Sequence, residues 1–187
     1  KPQTYVSDLA IIGIYYFKDG ENLKKELQYI IDNDIKDKGE YQLTSALENM
    51  KEKGIQFTAA PVGEWLDCGN KNATVFTNQR ILELNGEKES VSTRQLADNS
   101  EENTIVEPCY IGKNVQLVNS VIGPFVSIGD NTIIENSQIK NSIIQTNSKI
   151  VSANLDNSMI GNFVEYKGEG KEKNKRDVSI GDYSIIC

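Results

Sequence analysis

Ile128-Gly-Asp-Asn-Thr132 is one of four closely similar stretches in the second half of the chain. The other three are Ile111-Gly-Lys-Asn-Val115, Ile122-Gly-Pro-Phe-Val126 and Ile180-Gly-Asp-Tyr-Ser184. An amphipathic helix repeats about every 3.6 residues and a strand about every two, so neither explains this spacing. Apolar residues recur through the region at steps of five or six: Ile105, Ile111, Leu117, Ile122, Ile128, Ile134, Ile139, Ile144, Ile150, Leu155, Ile160 and Tyr166.

The tetrapeptide Asn-Ser-x-Ile marks the same repeat at a longer interval. It begins at Asn119, Asn136, Asn141 and Asn157, where the first two copies lie 17 residues apart and the last two 16 apart. This pattern predicts a parallel β-helix, a solenoid of short strands on three faces that points one aliphatic side chain inward per repeat. Stacked asparagine side chains should then hydrogen-bond along its axis. A β-sandwich of short strands is the alternative, although its strands would alternate and its turns would be further apart.

The first region of the chain is predicted to contain two strands. Residues 9–17 form a continuous apolar run, which is typical of a strand buried on both faces, and residues 55–59 alternate like a strand. Together with the helices that separate them, these strands predict part of an α/β layer architecture, with too few strands for a full sheet.

Three helices are predicted in the same region. Apolar residues at helical spacing indicate an amphipathic helix over residues 21–35. Ser45 and Glu48 match a capping box at the start of a second helix, which should stop at Gly54. Asn70 is a candidate cap for a third helix.

The composition excludes several classes of function. The chain has 187 residues, a net charge of -7 and no histidine. It therefore has no Ser-His-Asp or Cys-His catalytic pair and no His-ligated zinc site. The acidic balance argues against nucleic-acid or anionic-membrane partners, and no apolar run approaches the roughly eighteen residues of a membrane span. Three widely spaced cysteines (Cys68, Cys109 and Cys187) predict no disulfide framework and a reducing, cytoplasmic location.

These patterns divide the chain into domains. We expect an α/β region over residues 1–86, a polar linker over 87–104 and the β-helix over 105–187. The charged segment 168–177 interrupts the repeats, and its composition is typical of a solvated loop.

Four motifs in the first region, in this order, resemble a known family: Lys1-Pro2, Ser7-Asp-Leu-Ala-Ile-Ile-Gly-Ile-Tyr-Tyr-Phe17, Gly39-Glu-Tyr-Gln-Leu-Thr44 and Glu64-Trp-Leu-Asp-Cys-Gly69. They resemble the carboxyl-terminal half of the catalytic domain of sugar-1-phosphate nucleotidylyltransferases, and glucose-1-phosphate thymidylyltransferases in particular. The repeat region resembles the left-handed β-helix that longer members append. The implied fold is a partial Rossmann-like α/β domain followed by this β-helix.

The resemblance implies a reaction that requires no histidine. A sugar-1-phosphate oxygen attacks the α-phosphorus of a nucleoside triphosphate in line, and pyrophosphate leaves while Mg²⁺ bridges the phosphates. Such a transfer depends on positioning, metal and positive charge, and the attacking oxygen is already an anion. Glucose 1-phosphate and dTTP are the substrates that the family favours, and a homo-oligomer through the β-helix is expected.

The resemblance also assigns residues. Asp67 matches a Mg²⁺-binding aspartate of the family, with a helix cap as the alternative interpretation. Lys1 matches the lysine that neutralises the sugar phosphate. Ile11 and Gly13 match the wall of the sugar pocket, although a buried strand explains them equally well. Glu40 lies in a substrate-side motif whose role we expect to be largely structural.

The chain lacks the glycine-rich Gly-Gly-x-Gly-Thr-Arg-Leu loop that cradles the triphosphate in the family. We therefore expect a fragment that is inactive alone. Two other functions remain open: a non-catalytic β-helix module for oligomerisation or regulation, and a hexapeptide-repeat acyltransferase. The latter enzymes use a histidine base, which this chain does not have.

Overall fold

The computed structural model describes residues 4–5, 7–86, 103–170 and 173–187. The chain forms two compact units, Lys1–Trp65 and Leu66–Cys187. Residues 87–102 of the predicted linker lie outside the described residues. The domain limits at 86 and 105 therefore stay predictions.

The first unit contains two helices that pack on each other, α1 (Gly20–Asp32) and α2 (Leu43–Glu52). The Asp19 carboxylate caps α1 by accepting a hydrogen bond from the Asn22 amide at 3.1 Å. The second helix ends where predicted, because Gly54 has a φ of 89° and the Ile55 amide donates back to the Met50 carbonyl at 3.0 Å. Both helix predictions are confirmed, although α1 ends three residues before the predicted limit of 35.

The predicted capping box at Ser45 is wrong. The second helix begins at Leu43, its N-cap is Gln42, and no side chain caps it. Starting at Leu43 puts this half-buried side chain on the same helix face as the buried Ala46 and Met50. Ser45 consequently lies inside the first turn.

The two predicted strands do not form among the described residues. Residues 9–17 and 55–59 have irregular backbone, and large side chains of these segments are exposed, including Ile14 at 76% and Tyr16 at 90%. A strand exists only where its amide and carbonyl groups pair with a neighbour. Within the described part of this unit, the one backbone bridge joins Asp37 to Glu40, so neither segment has a pairing partner. The α/β part of the predicted fold is therefore not confirmed.

The described residues of the second unit form one helix, α3 (Lys71–Gly86), and fourteen strands. The strands are β1 (Thr104–Ile105), β2 (Cys109–Ile111), β3 (Gln116–Val118), β4 (Val121–Ile122), β5 (Val126–Ile128), β6 (Ile133–Glu135), β7 (Gln138–Lys140), β8 (Ser142–Ile144), β9 (Lys149–Val151), β10 (Asn154–Asp156), β11 (Met159–Ile160), β12 (Glu165–Lys167), β13 (Ser179–Ile180) and β14 (Ile185–Ile186).

These strands stack into three parallel sheets. Their orders are β1-β4-β7-β10, β2-β5-β8-β11-β13 and β3-β6-β9-β12-β14. Equivalent residues of successive coils lie 17 residues apart (Asn114 and Asn131) or 16 apart (Asn131 and Asn147), and the last step is 20 (Asn162 and Asp182). The predicted parallel β-helix is thereby confirmed, together with the interval of 16 or 17 residues.

The core of the solenoid is a column of aliphatic side chains. All twelve apolar repeat positions contribute to it, and those of the central coils, such as Ile134 and Ile139, are completely buried. The serine of the Asn-Ser-x-Ile motif is buried beside them. Ser120 Oγ donates to the Val118 carbonyl at 2.8 Å and accepts from the Ser137 amide of the next coil at 3.1 Å. The motif thus combines a buried hydrogen-bond relay with the aliphatic core.

Asparagine side chains stack at the corners of the solenoid, as predicted. Asn114 Nδ2 donates to Asn131 Oδ1 at 3.0 Å, and Asn131 Nδ2 donates to Asn147 Oδ1 at 3.2 Å. All three residues have φ between 55° and 58°. Asparagine tolerates this left-handed conformation better than most other side chains do. Asparagine therefore suits the corner for two reasons: its backbone adopts the required φ, and its side chain forms the ladder of hydrogen bonds.

Replacing Asn131 should separate these two contributions. We expect Asn131→Ala to lower the free energy of unfolding by about 1–3 kcal/mol, because it removes two ladder hydrogen bonds and because alanine tolerates the positive φ of this corner less well than asparagine does. Asn131→Gly removes the ladder without the strain and should cost less. Urea denaturation of both variants measures the difference, and an equal loss for the two would contradict a backbone contribution.

The third helix packs on the sheet that contains β5 and β8. Its side chains Val75 and Leu82 are buried. No helix of the described residues is long and apolar enough to cross a membrane.

Candidate functional site

Asp67 lies in a turn that leads into α3. Its Oδ1 accepts a hydrogen bond from the Gly69 amide at 3.0 Å, and its backbone carbonyl accepts one from Thr77 Oγ1 at 2.7 Å. Thr74 Oγ1 makes a similar bond to the Cys68 carbonyl at 3.3 Å. Two threonine side chains, from successive turns of α3, therefore hold the backbone of the Asp67 segment.

The helix cap is Asn70, as predicted, and not Asp67. Asn70 Oδ1 accepts from the Ala73 amide at 3.0 Å. Because the cap position is filled, the alternative interpretation of Asp67 as the cap is wrong. The Asp67 carboxylate points instead to its own turn and to solvent.

The donor chemistry of Asp67 fits one ligand of a magnesium ion. The side chain is exposed, and its Oδ2 accepts no hydrogen bond from the described residues. Within that part of the chain, no three Asp, Glu, His or Cys side chains form a metal-binding group. Magnesium in nucleotide enzymes needs only one or two carboxylates in addition to substrate phosphates. A single carboxylate is thus compatible with a shared site but does not form one alone.

The other predicted site residues lie in the first unit. Ile11 is 66% exposed, and Gly13 has a φ of 83° in an irregular segment. Glu40 closes a tight turn in which Lys38 and Gly39 both have positive φ, and its Oε2 accepts from Gln42 Nε2 at 3.0 Å. Lys1 lies outside the described residues. The substrate roles of these residues stay predictions.

The three cysteines are free. Burial raises the pKa of the Cys109 thiol to about 11, so this side chain stays protonated at neutral pH. Its Sγ donates to the Val106 carbonyl at 3.1 Å. Cys109 is therefore a packing residue.

The described residues of the segment 168–177 are largely solvent-exposed, as the composition predicts, but the end of the segment is attached to the solenoid. Arg176 forms a backbone bridge with Leu155 of β10, and the Asp156 amide donates to the Arg176 carbonyl at 3.0 Å. Lys175 Nζ lies 3.4 Å from an Asp156 carboxylate oxygen. The end of this segment supplies hydrogen-bond partners to the open edge of β10, which is why it is held to the solenoid.

The first unit also contains a buried carboxylate that the sequence patterns do not predict. Glu26 of α1 is 5% exposed, its Oε1 pairs with Lys53 Nζ at 2.6 Å, and its Oε2 has no hydrogen-bond partner among the described residues. The signal in the sequence was its position between Leu23, Leu27 and Ile30, on the apolar face of the predicted helix.

The chain is similar to curated nucleotidylyltransferases. It is 28% identical to a glucose-1-phosphate thymidylyltransferase of Streptomyces antibioticus over an alignment of 199 positions. The alignment covers all of this chain and 54% of that protein. It is 25% identical to a glucose-1-phosphate thymidylyltransferase of Streptomyces griseus, over 98% of this chain and 54% of the relative.

A third relative is the low-salt glycan biosynthesis nucleotidyltransferase Agl11 of Haloferax volcanii. It is 26% identical over 86% of this chain and 48% of its own length. The chain thus spans about half the length of the curated relatives that it matches. No protein-family model matches it, and no solved structure matches it.

Proposed function

Because the chain is related over its whole length to glucose-1-phosphate thymidylyltransferases, we propose that it is the carboxyl-terminal part of a sugar-1-phosphate nucleotidylyltransferase. The observation that carries the proposal is that the similarity runs through both units, not through the repeats alone. A shared β-helix by itself would align only with the second half of the chain.

The proposed reaction joins a sugar 1-phosphate to a nucleoside monophosphate. A phosphate oxygen of the sugar 1-phosphate forms a bond to the α-phosphorus, and the bond from that phosphorus to the bridging oxygen of pyrophosphate breaks. The attacking oxygen carries no proton to remove, so a chain without histidine suffices. We propose glucose 1-phosphate and dTTP as the substrates.

Within this proposal, Asp67 supplies one carboxylate to Mg²⁺. The ion would neutralise the charge that develops on the phosphate oxygens. The unshared Oδ2 of Asp67 supports this role, and the hydrogen bond from the Gly69 amide to Oδ1 orients the carboxylate. The remaining ligands would come from substrate phosphates and from a carboxylate outside the described residues.

The remaining predicted site residues receive proposed roles on the sugar side. Lys1 would neutralise the sugar phosphate, Ile11 and Gly13 would line the sugar pocket, and Glu40 would shape the turn beside it. The β-helix would assemble copies of the protein or regulate them. A cytoplasmic location is part of the same proposal.

A pyrophosphate-release assay tests the function. The 187-residue chain should show no turnover with dTTP, UTP or GTP in the presence of glucose 1-phosphate, because the glycine-rich loop is not in its sequence. A longer protein that contains this chain and that loop should show turnover. Turnover by the chain alone would contradict its assignment as a fragment, and none in the longer protein would contradict the reaction.

Asp67→Asn tests the metal role in the longer protein. We expect turnover to fall about tenfold or more, because an amide oxygen replaces a charged magnesium ligand. Asp182→Asn is the matched control, since Asp182 is an exposed aspartate that bonds only within the solenoid corner in the described structure. Acetyl transfer from acetyl-CoA by either protein would instead support the acyltransferase alternative.

A further inference from the structure

Four polar side chains join the first turn of α3 to the corner of the solenoid. Lys71 Nζ donates to the Asn157 carbonyl at 2.7 Å and forms an ion pair with Asp177. Asn157 Nδ2 donates both to Asn72 Oδ1 at 3.1 Å and to Asp177 Oδ2 at 2.8 Å. These contacts form a single hydrogen-bonded group, which we call the corner latch. It consists of Lys71 and Asn72 of α3, Asn157 in the corner after β10, and Asp177 at the end of the segment 168–177.

The latch is partly shielded from solvent. The Lys71 side chain is only 20% exposed. Its hydrogen bond holds the pKa of the Asp177 carboxyl below the ordinary value, and the bond from Asn157 acts in the same direction. Asp177 is therefore ionised at neutral pH, which is the state that the ammonium group of Lys71 needs.

One face of α3 continues the attachment from the latch along the sheet. Val75 and Leu82 are buried, and Asn78 Oδ1 accepts from Ser127 Oγ of β5 at 2.6 Å. Lys71, Val75, Asn78 and Leu82 are spaced by four, three and four residues, which places them on one side of a helix. The helix is thus anchored over three turns and not only at its start.

The Asp67 turn, which precedes α3, is attached to the same helix. Thr77 holds the Asp67 carbonyl and Thr74 holds the Cys68 carbonyl, so the turn moves with α3. The step from Asn162 to Asp182 is 20 residues where earlier coils need 16 or 17, and the additional residues lie in the segment that ends at Asp177. The irregular coil therefore places the Asp177 carboxylate at the first turn of α3, the helix that follows the Asp67 turn.

We propose that the solenoid positions the Asp67 carboxylate through the corner latch. Lys71, Asn72, Asn157 and Asp177 are positioning residues, which act on the turn through α3 and do not contact substrate. This role rests on the proposed function of Asp67. The solenoid then contributes to the reaction itself, in addition to any part in oligomerisation.

Hydrogen exchange of the 187-residue chain tests the link without any activity measurement. Lys71→Met and Asp177→Asn should each accelerate amide exchange at Gly69, Ala73 and Thr74 about tenfold. Amides of the central coils, such as those of β6, should keep their rates. Lys175→Met is the matched control, because this lysine pairs with Asp156 of the solenoid, and it should leave the turn unchanged.

The double variant tests whether the two residues act through one contact. Lys71→Met combined with Asp177→Asn should accelerate exchange by less than the two single effects combined, because both changes remove the same ion pair, whereas only the bonds to Asn157 are separate. Additive effects, or unchanged exchange at the three amides, would overturn the latch.

Magnesium titration of the longer protein tests the consequence for the site. The latch variants should raise the Mg²⁺ concentration for half-maximal turnover about threefold or more, whereas Lys175→Met should not. Faster exchange with an unchanged magnesium requirement would overturn the positioning role. If Asp67→Asn retains full turnover, the proposed function of Asp67 fails and the positioning role fails with it, while the exchange result still decides whether the latch exists.

Discussion

Ile134→Ala should lower the free energy of unfolding of the solenoid by about 2–5 kcal/mol. Ile134 is completely buried in β6, in the middle of the aliphatic column. The coils above and below are tied to it by backbone hydrogen bonds, so they cannot collapse into the space that three missing carbon atoms would leave. The cost therefore includes the cavity as well as the lost transfer of apolar surface.

Ile133 provides the matched control for this variant. It is the neighbouring residue in the same strand and the same residue type, but it is only half-buried because its side chain faces outward. Ile133→Ala should cost about 1 kcal/mol or less. Urea denaturation followed by the β-sheet circular dichroism signal measures both variants. Equal losses would contradict the inward and outward assignment of the strand.

Gly129→Ala should cost about 1–3 kcal/mol, which is the usual range for overpacking a close-packed interior. A β-carbon at Gly129 would lie 2.8 Å from the Thr146 amide nitrogen and 2.9 Å from the Gln145 carbonyl carbon. Both atoms belong to the backbone of the next coil, so they cannot move without disturbing the sheets. The glycine of this repeat is thus required by the approach of two main chains.

Gly181 tests that explanation in the same chain. It follows Ile180 as Gly129 follows Ile128, but nothing lies within 4 Å of a β-carbon placed on it. Gly181→Ala should leave the unfolding temperature almost unchanged, whereas Gly129→Ala should lower it by about 2–4 °C for each kcal/mol lost. Similar losses for the two variants would show that main-chain packing is not the reason for the glycine.

The repeats were predictable because their interactions are local and repeated. Each coil contacts the next in the same way, so a period read from Ile122, Ile128 and Ile134 identifies the inward positions without knowledge of any distant residue. The asparagine ladder follows from the same period, since Asn114 and Asn131 occupy one corner of successive coils.

The strands of the first region were not predictable in this way. The run at residues 9–17 is apolar enough for a buried strand, yet a strand also needs a neighbour, and the described residues of that unit supply none. The start of α2 depended on a similar choice, because burial of Leu43 in the first turn outweighed the cap that Ser45 would have formed.

For the candidate site, the motif Glu64-Trp-Leu-Asp-Cys-Gly69 identified Asp67 through its resemblance to a family, but not its surroundings. The latch joins Lys71 to Asp177, which is 106 residues further along the chain. No periodicity links two such positions, and the charged composition of 168–177 indicated only solvent exposure.

The sequence by itself determined that the second half of this protein is a three-sided parallel solenoid, because its period, its inward aliphatic residues and its corner asparagines each act between adjacent coils. It also indicated the relationship to nucleotidylyltransferases, through motifs whose residues are adjacent in the chain. Only the tertiary structure decided that α3 lies on the solenoid and that Asp177 of the irregular last coil pairs with the first turn of this helix, because these contacts join residues whose spacing in the chain carries no information about their distance in space.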